Sequence, residues 1–421
     1  MIKITGEFPM INSLNIDALP IFTLYLDPGT GGLIFSVIIG IVSTAYFSAI
    51  SVYYKFKDFF SSSAPANLYP SSHEGKVVLF SEGEIYYSTF LPMIRAFEKK
   101  KVSFVYLTIS KLDPLLSRRS SYMEAIYIGN SYSAWNYMNN LHAKSVVMTT
   151  QGLDVLQIKR SKHVREYINI IHSPTDKSNT KTYSFDHFDK VILSGHEQEK
   201  VIRQLESLRG SKRKNLPICG CLYYDYLMEE FRRRPHTVGK SILVAPSWGK
   251  NGLLSKFGMK LIQPLIDSGE EIIIRPHPQS LTVEEDMLEE LKIETSKYTN
   301  VFWDLTADNF DSMMRSKVLI SDVSGIIYDF AFIFEKPVIT AEFTFDRLGT
   351  EANDITGTPW DHKVLEDIGY RMGEDEISTI SDLVDRVVQD NSKVANIRKI
   401  RERDVVNFGD CADIVVENVI E

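Results

Sequence analysis

Four stretches of this chain end an apolar run on residues that can grip an anion or carry a proton. In Glu271-Ile-Ile-Ile-Arg275-Pro276-His277-Pro278, a β-branched run leads into Arg275 and His277. Ligands of open α/β sheets bind beyond the carboxyl ends of strands. A guanidinium and an imidazole placed there suit a phosphate or pyrophosphate, and the two prolines limit where they point. The competing reading is a stiff loop with a surface arginine and a satisfied histidine. In Val318-Leu-Ile-Ser321-Asp322-Val323-Ser324-Gly325, small polar residues follow a strand and a helix opens toward Asp329. The first N–H groups of a helix lack internal partners, so a donor phosphate can sit there, with the Ser321 and Ser324 hydroxyls adding hydrogen bonds. Simple capping by Ser321, Asp322 or Ser324 gives the same pattern. Asp329 is placed to bind the donor, to orient a histidine, or only to reinforce the helix start. In Tyr167-Ile-Asn-Ile-Ile-His172-Ser173, a strand ends on a histidine. An imidazole titrates near neutrality, which makes His172 a candidate general base. Ala245-Pro246-Ser247-Trp248-Gly249 is the fourth strand end. Ser247 is a candidate phosphate contact and Trp248 a candidate base contact, against a plain turn with a core tryptophan.

Strand ends need sheets to hold them. Apolar runs at 77–80, 103–107, 125–128, 145–148, 167–171 and 190–193 read as strands, with a helix at 90–100. A second series has strands at 241–245, 271–274, 301–303, 318–320 and 337–340, and helices at 258–268 and 326–334. Helices at 377–388 and 392–408 follow. Such alternation indicates parallel sheets covered by helices. The fold class is therefore α/β, two doubly wound Rossmann-like domains facing a cleft, over residues 74–236 and 237–421.

Residues 1–73 read differently. Leu33 to Tyr54 carries no charge, and at ~1.5 Å per residue it is long enough to cross a bilayer core. Lys55 and Lys57 follow it, while Lys3, Glu7, Asp17 and Asp27 precede it. The positive-inside rule then predicts a single-pass anchor in the cytoplasmic membrane with the rest of the chain in the cytoplasm. Residues 1–56 form this anchor region and 57–73 a linker; a buried core helix is the alternative for the span. The net charge of −8 gives no support to nucleic-acid binding. Cys219, Cys221 and Cys411 lack the spacing of a disulfide framework or metal site and read as buried small hydrophobes. The basic runs 159–165, 209–214 and 232–234 suit either solvated surface or an anionic lipid or polymer.

Taken together, the motifs resemble the CDP-glycerol glycerophosphotransferase family of teichoic-acid-type polymer synthesis. His172 matches that family's His-Gly, with Ser173 in place of the glycine. Arg275, Pro276, His277 and Pro278 match its Arg-x-His-Pro loop. Ser321, Asp322, Ser324, Asp329, Lys336 and Pro337 match its Ser-Asp-x-Ser-Ser, Asp and Lys-Pro series, with Gly325 in place of the second serine. The resemblance implies a GT-B-like fold, with the acceptor side on 74–236 and the nucleotide donor on 237–421. It implies transfer of glycerol phosphate from CDP-glycerol to a lipid-linked or polymeric hydroxyl, with His172 as base and His277 stabilising the leaving group. Arg275, Ser247, Ser321, Asp322, Ser324 and Asp329 would hold the donor. No metal or other cofactor is expected. A nucleotide-sugar GT-B glycosyltransferase and a non-catalytic, membrane-tethered nucleotide-binding scaffold remain alternatives.

Overall fold

The computed structural model describes residues 72–421, apart from 236–237, 307, 342–346 and 391. The expected membrane span and linker therefore lie almost wholly outside the described residues. Among the described residues no helix is long and apolar enough to cross a membrane.

Strands β1 (Ser72–Ser81), β2 (Phe104–Thr108), β3 (Met123–Tyr127), β4 (His142–Met148), β5 (Val164–Ile170) and β6 (Lys190–Ile192) form one sheet. Its order is β3-β2-β1-β4-β5-β6, and every pairing is parallel. Strands β7 (Ser241–Val244), β8 (Ile272–Ile274), β9 (Val301–Trp303), β10 (Ser316–Ser321), β11 (Val338–Ala341) and β12 (Gly369–Met372) form the second. Its order, β12-β11-β10-β7-β8-β9, is the same doubly wound path, again all parallel. Val77–Phe80 and Ile272–Ile274 are continuous apolar runs because helices cover both faces of each sheet. In both sheets the chain's direction of travel reverses between the first and fourth strands, which opens a crevice at their carboxyl ends.

The helix Ile326–Phe334 is apolar on nearly every face and is buried accordingly. It stops at Glu335, which takes a left-handed conformation with φ 51°. The next residue, Lys336, sends its ammonium to the carbonyls of Met313, Met314 and Ser316 at 3.2, 2.8 and 2.6 Å. It thereby satisfies orphan carbonyls where the Phe310–Arg315 helix ends, so the Lys-Pro pair has a structural task here.

Two features depart from expectation. Strand β12 and the helix Trp360–Ile368 before it were not foreseen. The helix Ala412–Ile420 leaves the second sheet altogether: Val415, Val416 and Val419 join Phe90, Ile94 and Phe97 in the core of the first. Asp225 fixes its start by accepting from the backbone N–H groups of Cys411 and Ala412, at 2.9 and 2.8 Å. The halves also meet along 178–182 and 349–352, where Glu351 N–H donates to the Thr180 carbonyl and Ala352 N–H to that of Ser178.

Candidate functional site

The predicted donor loops come together at the carboxyl ends of β7, β8 and β10, though several side chains do other work than expected. Asp322 is buried. One carboxylate oxygen accepts from Ser247 N–H and Val323 N–H at 2.8 and 2.6 Å, the other from Leu253 N–H at 3.1 Å. It holds the β7 and β10 loops in register across the crevice. Ser321 is fully buried and donates to the Ala245 carbonyl at 2.7 Å, which places its hydroxyl in the sheet framework. Ser324 is half-buried at the helix start. Trp248 is 47 % exposed, so the core-tryptophan reading fails. Gly325 has open space where a Cβ would be, so the missing serine of the family pattern reflects no steric demand.

Arg275 is nearly buried. Its guanidinium pairs with Asp304 at 2.6 Å and donates to the Thr306 carbonyl at 2.9 Å. This ties the end of β8 to the loop after β9: the loop is braced, but by a buried arginine and not the surface one of the competing reading. His277, two residues on, is half-buried. Its Nδ1 accepts from Gln279 N–H at 3.1 Å, so the neutral ring carries its proton on Nε2 and offers a donor there. Burial lowers its pKa, while Asp322 and Glu284 beside it act in the opposite sense.

Asp329 is enclosed beside Tyr223 and Tyr224, and burial raises its carboxyl to about 7. Its neighbours are phenols of the Leu222–Arg233 helix, a setting suited to core polarity more than to donor contact.

His172 lies past the end of β5. Its ring meets Tyr86 edge-on, centroids 5.3 Å apart at 73°. Burial, with Lys177 adding to it, pushes the imidazole down to about 3, so the ring is neutral at physiological pH. The Ser173 hydroxyl accepts from the Lys177 ammonium, which gives a physical reason for serine at the family's glycine position. Lys177 was not singled out in the sequence; burial lowers its pKa, against the pull of Asp361 and Asp176. Asp176 and Asp361 join the halves: Asp176 N–H donates to Asp361 at 3.2 Å, and Trp360 N–H donates to Asp176 at 2.7 Å. The imidazoles of His172 and His277 do not touch; each stands at the carboxyl edge of its own sheet.

Cys219, Cys221 and Cys411 are buried and unpaired. Arg209 lies far from the solvated setting expected of its basic run: its guanidinium meets Asp186, Glu351 and Asp354. Among the described residues no group of three His, Cys, Asp or Glu side chains is placed to hold a metal.

No protein-family model and no curated protein matches the chain. Solved structures do. The wall teichoic acid polymerase TagF superposes with a TM-score of 0.57 at 15 % identity, over 83 % of this chain and 89 % of that one. A TagF variant soaked with CDPG gives 0.54 at 14 %, over 85 % and 90 %. The UDP-GlcNAc 2-epimerase of Methanocaldococcus jannaschii, in complex with UDP-GlcNAc and UDP, gives 0.51 at 11 %, over 82 % and 99 %. The two six-stranded parallel sheets thus form a GT-B-like fold.

Proposed function

We propose that this chain is a membrane-anchored transferase that moves glycerol phosphate from CDP-glycerol to a hydroxyl of a lipid-linked or polymeric acceptor. The observation that carries the reading is the pair of neutral histidines, His172 beyond β5 and His277 beyond β8, with the His277 proton held on Nε2. In the reaction the acceptor oxygen bonds to the phosphorus next to glycerol and its proton passes to His172. The bond from that phosphorus to the bridging oxygen breaks, and CMP leaves with the electron pair. His277 donates to the developing charge, and the Ile326–Phe334 helix start with Ser324 adds to it. Asp322 acts through the loops it pins. In this reading Arg275 braces the loop that carries His277, and residues 33–54 span the membrane with the catalytic halves on the cytoplasmic side.

Released nucleotide is the test. The full chain is incubated with CDP-glycerol and, separately, with UDP- and CMP-sugars, in membranes that supply acceptors. CMP release from CDP-glycerol that His172→Ala abolishes supports the reading. Release from a nucleotide sugar alone transfers the assignment to a glycosyltransferase.

A further inference from the structure

The carboxyl edge of the first sheet carries a polar cluster that the proposed reaction leaves unused. β1 and β4 are the strands between which that sheet reverses direction, the place where doubly wound sheets take ligands. Glu82 follows β1; Thr149 and Thr150 follow β4. The Glu82 carboxylate faces the hydroxyls of Thr150 and Tyr86, and the Tyr86 hydroxyl faces Thr149. The Thr149 and Thr150 hydroxyls are fully enclosed, yet neither has a hydrogen-bond partner of normal geometry. Tyr86 also carries the ring that packs on His172. The turn is built for this placement. Gly83 has φ +120°, a Cβ there would lie 2.6 Å from that of Ser110, and the Gly83 carbonyl accepts from Tyr86 N–H at 3.1 Å.

We propose that Glu82, with Thr150 and Tyr86, forms a subsite for a neutral, hydroxyl-bearing end of the acceptor, fixing one hydroxyl while its neighbour on the same molecule meets His172. The proposal rests on the transferase reading for its purpose. A carboxylate accepts hydrogen bonds strongly and repels a phosphate, so the group selected is a vicinal diol, as in a glycerol or sugar terminus. The half-buried Tyr86 hydroxyl can turn to donate or accept, which suits a ligand that is itself both.

Direct binding tests the subsite apart from the reaction. Saturation-transfer NMR on the full chain compares 1-O-methylglycerol, a vicinal diol, with 2-methoxyethanol, which has one hydroxyl. The wild type is expected to bind the diol at least about tenfold more tightly, the scale of a hydrogen bond to a charged group. Glu82→Ala and the isosteric Glu82→Gln are expected to lose that margin, Glu82→Asp to keep part of it, and all three to retain the wild-type melting temperature. Equal binding of the two alcohols by the wild type, or a preference that survives both Glu82→Ala and Glu82→Gln, overturns the proposal. A diol preference without CMP release from CDP-glycerol leaves the subsite standing and removes only the donor assignment.

Discussion

At the scale of single residues, the environment of His172 sets a measurable pH signature. A base works deprotonated, and burial has moved this imidazole to about 3. Its proton is therefore lost well below the ordinary imidazole range of about 6.5. Because kcat/KM reports the free enzyme, kcat/KM for nucleotide release is expected to stay level as pH falls from 8 through 6.5. An acid limb centred near 6.5 in that profile would show that burial does not hold His172 near 3. Replacing His172 with Ala is expected to lower kcat by about 100-fold or more, measured as CMP release. Asp322 makes a different prediction. Its carboxylate accepts from three backbone N–H groups, those of Ser247, Leu253 and Val323. Asp322→Ala frees both loops, and CMP binding measured by calorimetry is expected to weaken by about tenfold or more. The strand-end rule located these residues but not their tasks. Arg275 and Ser321 had the chemistry of phosphate ligands, yet their partners, Asp304 and the Ala245 carbonyl, lie far along the chain. Glu82 was missed although it too follows an apolar strand, in front of a glycine.

Elements were more legible than partners. Long apolar runs such as Val77–Phe80, and the wholly apolar helix Ile326–Phe334, announced themselves by periodicity and length. Strand β12 did not, because Gly369-Tyr-Arg-Met372 is a short edge with a charged residue. The contact between the halves was invisible for another reason: it joins segments 178–186 and 349–361 through polar groups that look like ordinary surface in sequence. At its centre the Arg209 guanidinium bonds the side chain of Glu351, which is fully buried. Removing one partner of such a pair strands the other charge. Arg209→Leu is therefore expected to cost about 3–5 kcal/mol in urea unfolding, and Arg209→Leu combined with Glu351→Leu to recover only part of that loss, because Asp186 and Asp354 still lack their partner. Gly195 serves the same packing, since a Cβ there would lie 1.8 Å from the Asp404 carbonyl oxygen.

For the molecule as a whole, buried acids couple stability to pH. Asp329 has its folded pKa raised to about 7, against about 3.9 in an unfolded chain. The folded state binds the extra proton between those values, so this group's contribution is fully present below about 4 and is lost as pH rises through 7. Asp329→Asn is accordingly expected to gain stability relative to the wild type between pH 4 and 7, by a few kcal/mol in order of magnitude. Paired denaturant curves at several pH values check this; a constant difference would show that Asp329 is ionised throughout.

The helix Ala412–Ile420 is the most distant part of the sequence to enter the core of the first sheet. A ribosome making this protein delivers β1 hundreds of residues before the valines that cover its neighbours. The core shared by Phe90, Ile94 and Phe97 therefore closes only after the strands of the second sheet have been made.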